Sequence, residues 1–183
     1  MSIAIVRMNP AHMGHKYLIE EMGKESKIVY IGLGSCQEER TLKNPYSPKE
    51  RSQMIRNMFP NQEKYKIFFL NDFPDCTKKE WQDYCLKELK KQCGEDSNPK
   101  KYFGGCDNDI TWWKNAKNLI GENIQCVSLC RENNNHLSAT EIRKSLRNFL
   151  AGKTMNIKWV KEIPEENLEF VKNNYPKELI FQD

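Results

Sequence analysis

Ile3-Ala4-Ile5-Val6-Arg7-Met8-Asn9-Pro10-Ala11-His12-Met13-Gly14-His15 is the stretch whose reading decides the fold. Four apolar, mostly β-branched residues run without polar alternation, the habit of a strand buried on both faces in a parallel sheet. The run breaks at Arg7-Met8-Asn9-Pro10, and beyond it Tyr17, Leu18 and Met22 recur at helical spacing. The turn between strand and helix holds two of the chain's three histidines in an HxGH arrangement. Three-residue spacing across a helix start puts both imidazoles on one side. Gly14 leaves no side chain where a phosphate would approach the backbone. The helix N-terminus adds free N–H groups and partial positive charge. His12, Gly14 and His15 are therefore expected to meet a polyphosphate.

Outward from that turn the same grammar repeats. Ile28 to Ile31 reads as a second strand, closed by Gly32-Leu33-Gly34-Ser35 and followed by a loop over 36–46. Ser47-Pro48-Lys49-Glu50 gives a capping box with proline at the first helical position, predicting a helix to about Met58. Tyr65 to Leu70 reads as a third strand. A second box, Thr77-Lys78-Lys79-Glu80, opens a helix through Trp81, Tyr84, Cys85, Leu86 and Leu89. Residues 94–100 read as a polar loop, Tyr102-Phe103 and Ile124 to Leu129 as strands. Ser138-Ala139-Thr140-Glu141 starts a helix with Ile142, Leu146 and Leu150 inward, and a last helix is expected near Pro164, carrying Leu168 and Val171. Alternating strands and helices predict an α/β fold. It is expected to be a doubly wound, Rossmann-like parallel sheet with helices on both faces and ligands at the carboxyl ends of the strands. One domain is expected over residues 1–183, with a helical C-terminal part from about 140.

Composition narrows the class. A hydrophobic content of 38% with 30% charged residues is that of an ordinary soluble globular domain, and a net charge of +4 is too mild to point to a polyanion binder. Seven cysteines, with no CxxC pair, match neither a disulfide framework nor a zinc pattern, and a reducing cytoplasm is expected. The apolar run near Met1 is too short for a membrane span and lacks the marks of a signal peptide. Lys87, Lys90, Lys91, Lys100 and Lys101, beside Tyr102 and Phe103, form a basic region. Without an RRM or KH pattern, no nucleic-acid partner is expected from it.

Leu137-Ser138-Ala139-Thr140-Glu141-Ile142-Arg143 is a second anion-binding element: hydroxyls at a helix start and a guanidinium one turn on. Together the two elements resemble the nucleotidylyltransferase superfamily, whose signatures are an HxGH (or TxGH) turn and an ISSTxIR helix start. Leu137 and Ala139 depart from that pattern without removing a charge. Gly32-Leu33-Gly34-Ser35, then Arg40-Thr41-Leu42-Lys43-Asn44-Pro45-Tyr46-Ser47 and Glu50-Arg51, resemble a stretch of the archaeal-type nicotinamide mononucleotide adenylyltransferases. Arg7 and Asn9 fit the same family, in which glutamine is usual at the second position.

The resemblance implies transfer of AMP from ATP to nicotinamide mononucleotide, forming NAD and pyrophosphate. It assigns His12, His15 and Arg143 to the chemistry. ATP binding falls to Arg7, Gly14, Gly32, Gly34, Arg51, Ser138 and Thr140, and mononucleotide binding to Asn9, Lys78 and Trp81, with Trp81 stacked on the ring. Mg²⁺ is implied as a cofactor held mainly by ATP and water, with no metal site on the protein. Lys78 stands where the family has asparagine, so both the amide and the acid mononucleotide remain open as substrates. Other phosphate esters, cytidylyl transfer, an inactive nucleotide-binding regulator and a homo-oligomer also remain open.

Overall fold

The computed structural model describes residues 1–105, 107–129, 138–155 and 157–182. Leu137, Cys106 and Cys130 lie outside the described residues. Five strands form one parallel sheet: β1 (Ser2–Val6), β2 (Val29–Leu33), β3 (Tyr65–Phe69), β4 (Lys101–Gly104) and β5 (Gln125–Ser128), in the order β3-β2-β1-β4-β5. β1 pairs with β2 from Ser2↔Val29 to Val6↔Leu33 and with β4 through Ser2↔Lys101 and Ile3↔Tyr102. The central strand is thus the one whose unbroken apolar run pointed to burial on both faces.

Alternate strand residues feed two cores. Ala4, Ile31, Leu33 and Phe103 join one, beneath α1 (Met13–Glu25), α2 (Pro48–Met58) and α5 (Ala139–Leu150). Ile3, Tyr30, Phe68 and Tyr102 join the other, beneath α3 (Lys78–Cys93) and the stretch holding Trp113, Ala116 and Ile124. This division follows from the crossovers. Parallel connections are right-handed, so a chain that winds β1-β2-β3 one way and returns to β4 and β5 must change faces. Thr77, Ser47 and Ser138 each complete the capping box read from sequence, and a cap of this kind stabilises its helix start by about 1 kcal/mol.

Two features differ from the sequence expectation. A short helix, α4 (Asp107–Thr111), follows β4 where none was expected. The last helix is broken into 3₁₀ turns at Lys158–Glu162, Glu165–Asn167 and Lys177–Leu179, around a short α6 (Leu168–Asn173). Pro164 and Pro176 account for the breaks, since neither supplies an N–H to a continuing helix. This segment still packs on the α1/α2 face. Tyr46 donates its hydroxyl to the Val171 carbonyl at 2.7 Å, Asn167 donates to the Met54 carbonyl at 3.0 Å, and Lys16 pairs with Glu166 at 2.7 Å.

Candidate active site

β1 and β4 are neighbours whose following connections leave in opposite directions, and such a switch point opens a crevice at the carboxyl ends of the strands. Arg7 stands there, one residue past β1. Its Nε donates to Ser35 Oγ at 3.2 Å, and Ser35 Oγ donates in turn to Asp72 Oδ1 at 2.9 Å. Gln37 holds the other Asp72 oxygen at 2.8 Å, so one polar chain crosses the ends of β1, β2 and β3.

Arg7 lines two pockets of contrasting chemistry. The first, about 490 Å³, is walled by Arg7, Lys43, Arg143, Lys144 and Arg147 with Leu42, Thr140 and Tyr175. Among the described residues its walls carry five cations and no acid, a charge pattern that suits a polyanion. The second, about 530 Å³, is walled by Phe73, Trp81, Tyr102, Trp112 and Trp113, with Asp72 and Asp109 among its polar groups. Trp113 is 1% exposed and stacks on Tyr102 with ring centroids 4.6 Å apart, which makes a rigid floor.

The two histidines are brought together at the start of α1, their ring centroids 3.7 Å apart. His12 is the N-cap. Its carbonyl accepts from His15 and Lys16, while its own N–H donates to His15 Nδ1 at 3.3 Å. A ring nitrogen that accepts carries no proton, so the neutral His15 tautomer in this arrangement carries its proton on Nε2. Gly14 serves this pair: a Cβ there would meet the His12 ring at 3.2 Å.

Arg143 ties the second element to the first. It donates to the Asn9 carbonyl at 2.7 Å and to Thr140 Oγ1 at 3.0 Å, and it is half-buried. Burial, and then the nearby Arg7 charge, lower its pKa from the usual arginine value. Two guanidiniums held near each other in a pocket without a carboxylate call for an anion to offset their repulsion. Thr140 is exposed on the cationic wall, whereas Ser138 is engaged with the Glu141 backbone and carboxylate.

Several expected ligands have structural surroundings instead. Arg51 is fully buried and donates to the carbonyls of Arg7 at 2.7 Å, Gly34 at 2.8 Å and Ser35 at 3.3 Å. Met8 (φ 52°) and Ser35 (φ 53°) adopt left-handed backbone at these strand ends, and such conformations persist only when neighbours over-determine them. Arg51 bonds the carbonyls at these strand ends, where the sequence suggested a phosphate contact. Asn9 is 1% exposed, and its amide bonds Asn44 Oδ1 at 3.3 Å and both the N–H and carbonyl of Tyr46. It fastens the 44–46 loop and does not face the aromatic pocket. Gly32 packs tightly under its neighbours, since a Cβ there would lie 2.5 Å from Ile5 and 2.8 Å from Phe68. Gly34 has room around it; its N–H donates to the Val6 carbonyl at 2.9 Å.

On the acceptor side Trp81 lines the aromatic pocket, while Lys78 is exposed on the first turn of α3 and does not line it. Lys43, Lys144, Arg147, Tyr175, Asp72, Asp109, Trp112 and Trp113 were missed in sequence. The Trp112-Trp113 pair inside a polar stretch was the one signal available. The basic region read near α3 offers no stacking surface: Tyr102 and Phe103 are buried on opposite faces of the sheet. Lys90, Lys91, Lys100 and Lys101 there are paired with Glu95, Glu88, Glu122 and Glu25.

The family model described as cytidylyltransferase-like matches residues 3–145, a span that holds both helix-start elements. The chain belongs to the cytidylyltransferase-like family. An Acinetobacter baylyi protein named nicotinamide/nicotinic acid mononucleotide adenylyltransferase is 34% identical over 48% of this chain and 46% of its own. A Methanococcus vannielii nicotinamide-nucleotide adenylyltransferase is 28% identical over 90% of this chain and 84% of its own. Among solved structures, a bifunctional NMN adenylyltransferase/ADP ribose pyrophosphatase from Francisella tularensis, complexed with AMP and a manganese ion, has a TM-score of 0.72. It is 23% identical, and the match covers 94% of this chain and 48% of that one. These matches cover less than half the length of the Acinetobacter and Francisella proteins. This cytidylyltransferase-like chain has no described helix long and apolar enough to cross a membrane.

Proposed function

We propose that this chain transfers AMP from ATP to nicotinamide mononucleotide, forming NAD and releasing pyrophosphate. The observation that carries the reading is the pair of pockets meeting at Arg7, one cationic and one aromatic. A triphosphate matches the first and a pyridine ring the second. The named activities of the Acinetobacter, Methanococcus and Francisella proteins support the same pair of substrates.

In this mechanism a 5′-phosphate oxygen of the mononucleotide attacks the α-phosphorus of ATP. The bond from that phosphorus to the bridging oxygen breaks, and its electron pair leaves with pyrophosphate. The attacking phosphate is already anionic at neutral pH, so no general base is required. The protein's work is to align two polyanions and stabilise charge on the leaving group. Arg143, Lys43, Lys144 and Arg147 hold the β- and γ-phosphates, Thr140 adds a hydroxyl, and His15 donates from Nε2 to the departing oxygen. Arg7, facing both pockets, sits between donor and acceptor phosphates. Among the described residues no group of three or more His, Cys, Asp or Glu is placed to hold a metal ion. The donor set of the described residues thus offers no cluster for a resident metal. Mg²⁺ enters as part of the MgATP substrate, carried by phosphate oxygens and water.

The test is pyrophosphate release from ATP and from CTP, each offered with nicotinamide mononucleotide, nicotinic acid mononucleotide, phosphopantetheine and a sugar phosphate. The expected result is release from ATP with a pyridine mononucleotide and none without an acceptor. ATP binding with no release from any pair would leave a nucleotide-binding regulator in place of an enzyme.

A further inference from the structure

The aromatic pocket carries charge that a ring-binding site does not need. Its two carboxylates differ in their surroundings. Both oxygens of Asp72 are engaged, one by Ser35 and one by Gln37, and Ser35 links Asp72 to Arg7. Asp109, on α4, has no hydrogen bond or salt bridge to any other described residue and stands on the exposed rim of the pocket. Its charge is felt inside: the Tyr102 phenol at the pocket floor is pushed upward in pKa chiefly by burial and then by Asp109. Among the described residues, the only cation lining this pocket is Arg7, at the boundary shared with the polyphosphate side.

Resting on the adenylyl-transfer reading, we infer that Asp109 sets the choice of acceptor ring, favouring the carboxamide over the carboxylate form. The amide mononucleotide presents a pyridinium with an uncharged substituent. The cationic ring is attracted both by the aromatic faces and by an acidic rim. Its carboxamide N–H groups donate to a carboxylate, whereas the acid form offers no donor and adds a negative charge. Discrimination then works by repelling the wrong ligand as much as by holding the right one. Asp109 acts here as a specificity residue at the rim, away from the reacting phosphates.

The experiment is a competition in one reaction: ATP with equal concentrations of the two mononucleotides, the two dinucleotide products weighed by mass, for wild type, Asp109→Asn and Asp109→Glu. At low salt, Asp109→Asn is expected to raise the acid-to-amide product ratio about fivefold, the scale of one like-charge contact in a solvated site. At ~1 M salt, where screening reaches only about 3 Å, the change is expected to fall below about twofold. Asp109→Glu, which keeps the charge, is expected to stay near the wild-type ratio. If wild type forms dinucleotides but Asp109→Asn leaves their ratio unchanged, the inference fails while the reaction stands. It fails likewise if the glutamate variant shifts the ratio as far as the asparagine variant, which would make the effect one of shape. If wild type forms neither dinucleotide, the adenylyl-transfer reading fails and the inference goes with it.

Discussion

The two sides of the cleft share Arg7 and almost nothing else. Among the described residues, five cations and no acid line one side, and five aromatic rings with two carboxylates line the other. The difference reflects what each ligand needs. A polyphosphate whose charge grows on departure is best met by fixed positive charge, while a flat ring is best met by stiff apolar walls. The difference also extends to how each side is built. The cationic wall hangs on α5 and the turn it grips through Arg143, whereas the aromatic wall is gathered from the ends of β1, β3 and β4 and from α3 and α4.

The largest effects should come from arginines, and two of them separate function from fold. Arg143→Ala is expected to lower turnover by about 10²–10³-fold, the cost of one preorganised charge-stabilising donor, while the single bond lost to the Asn9 carbonyl costs about 1.5–3 kcal/mol of stability. Arg143→Lys should recover only part, because a point charge does not replace the planar fork. Arg51→Ala should act mainly on the fold. It leaves three buried carbonyls without their charged donor, which should cost at least about 3 kcal/mol in denaturant unfolding. An Arg51→Ala protein of normal stability but without ATP affinity would restore it as a phosphate ligand.

That contrast also explains what was legible. The alternation of strands and helices was readable because a strand buried on both faces is an unbroken apolar run and each helix start carries its own capping residues. The placing of His12 and His15 at one helix start, and of Thr140 and Arg143 at another, was readable because each pair lies within a few consecutive residues. The carbonyl bonds of Arg51 were not legible, because a guanidinium that binds carbonyls and one that binds phosphates are identical in sequence. The same holds for the loop bonds of Asn9. The aromatic pocket was mostly invisible, since Phe73, Trp81, Tyr102 and Trp112 come together only through the sheet order and the return crossover. Gln82 shows the dependence: it holds the Trp112 carbonyl at 2.7 Å, fixing one aromatic wall from the helix that carries another.

An intermediate effect should come from the aromatic side. Trp81→Ala is expected to weaken mononucleotide binding by roughly 1–3 kcal/mol, the range for stacking a base on an aromatic ring. Calorimetric titration with ATP should give an affinity within about twofold of wild type, because Trp81 lines only the second pocket. A matching loss of ATP affinity would mean that the adenine, and not the acceptor ring, occupies the aromatic side.

The smallest effect is expected at Lys78, the residue whose departure from the family asparagine first raised the acid mononucleotide as a substrate. The argument for a near-zero effect is positional. The side chain belongs to the first turn of α3, is exposed to solvent, and is absent from the walls of the pocket that Trp81 lines three residues later. A lysine there, free to rotate in high dielectric, contributes at most a few tenths of a kcal/mol to any one ligand charge. Its placement is also unhelpful to its own helix, since a cation at an N-terminus opposes the dipole, and Lys78→Asn should if anything leave the fold slightly more stable. Kinetics of Lys78→Asn with each mononucleotide should therefore give kcat/KM values within about twofold of wild type for both. A selective loss with the acid form alone would show that α3 moves when a ring binds and carries Lys78 to it. In that case the aromatic side would be shaped by its ligand, while the cationic side, clamped by Arg143 on the Asn9 carbonyl, is built in advance.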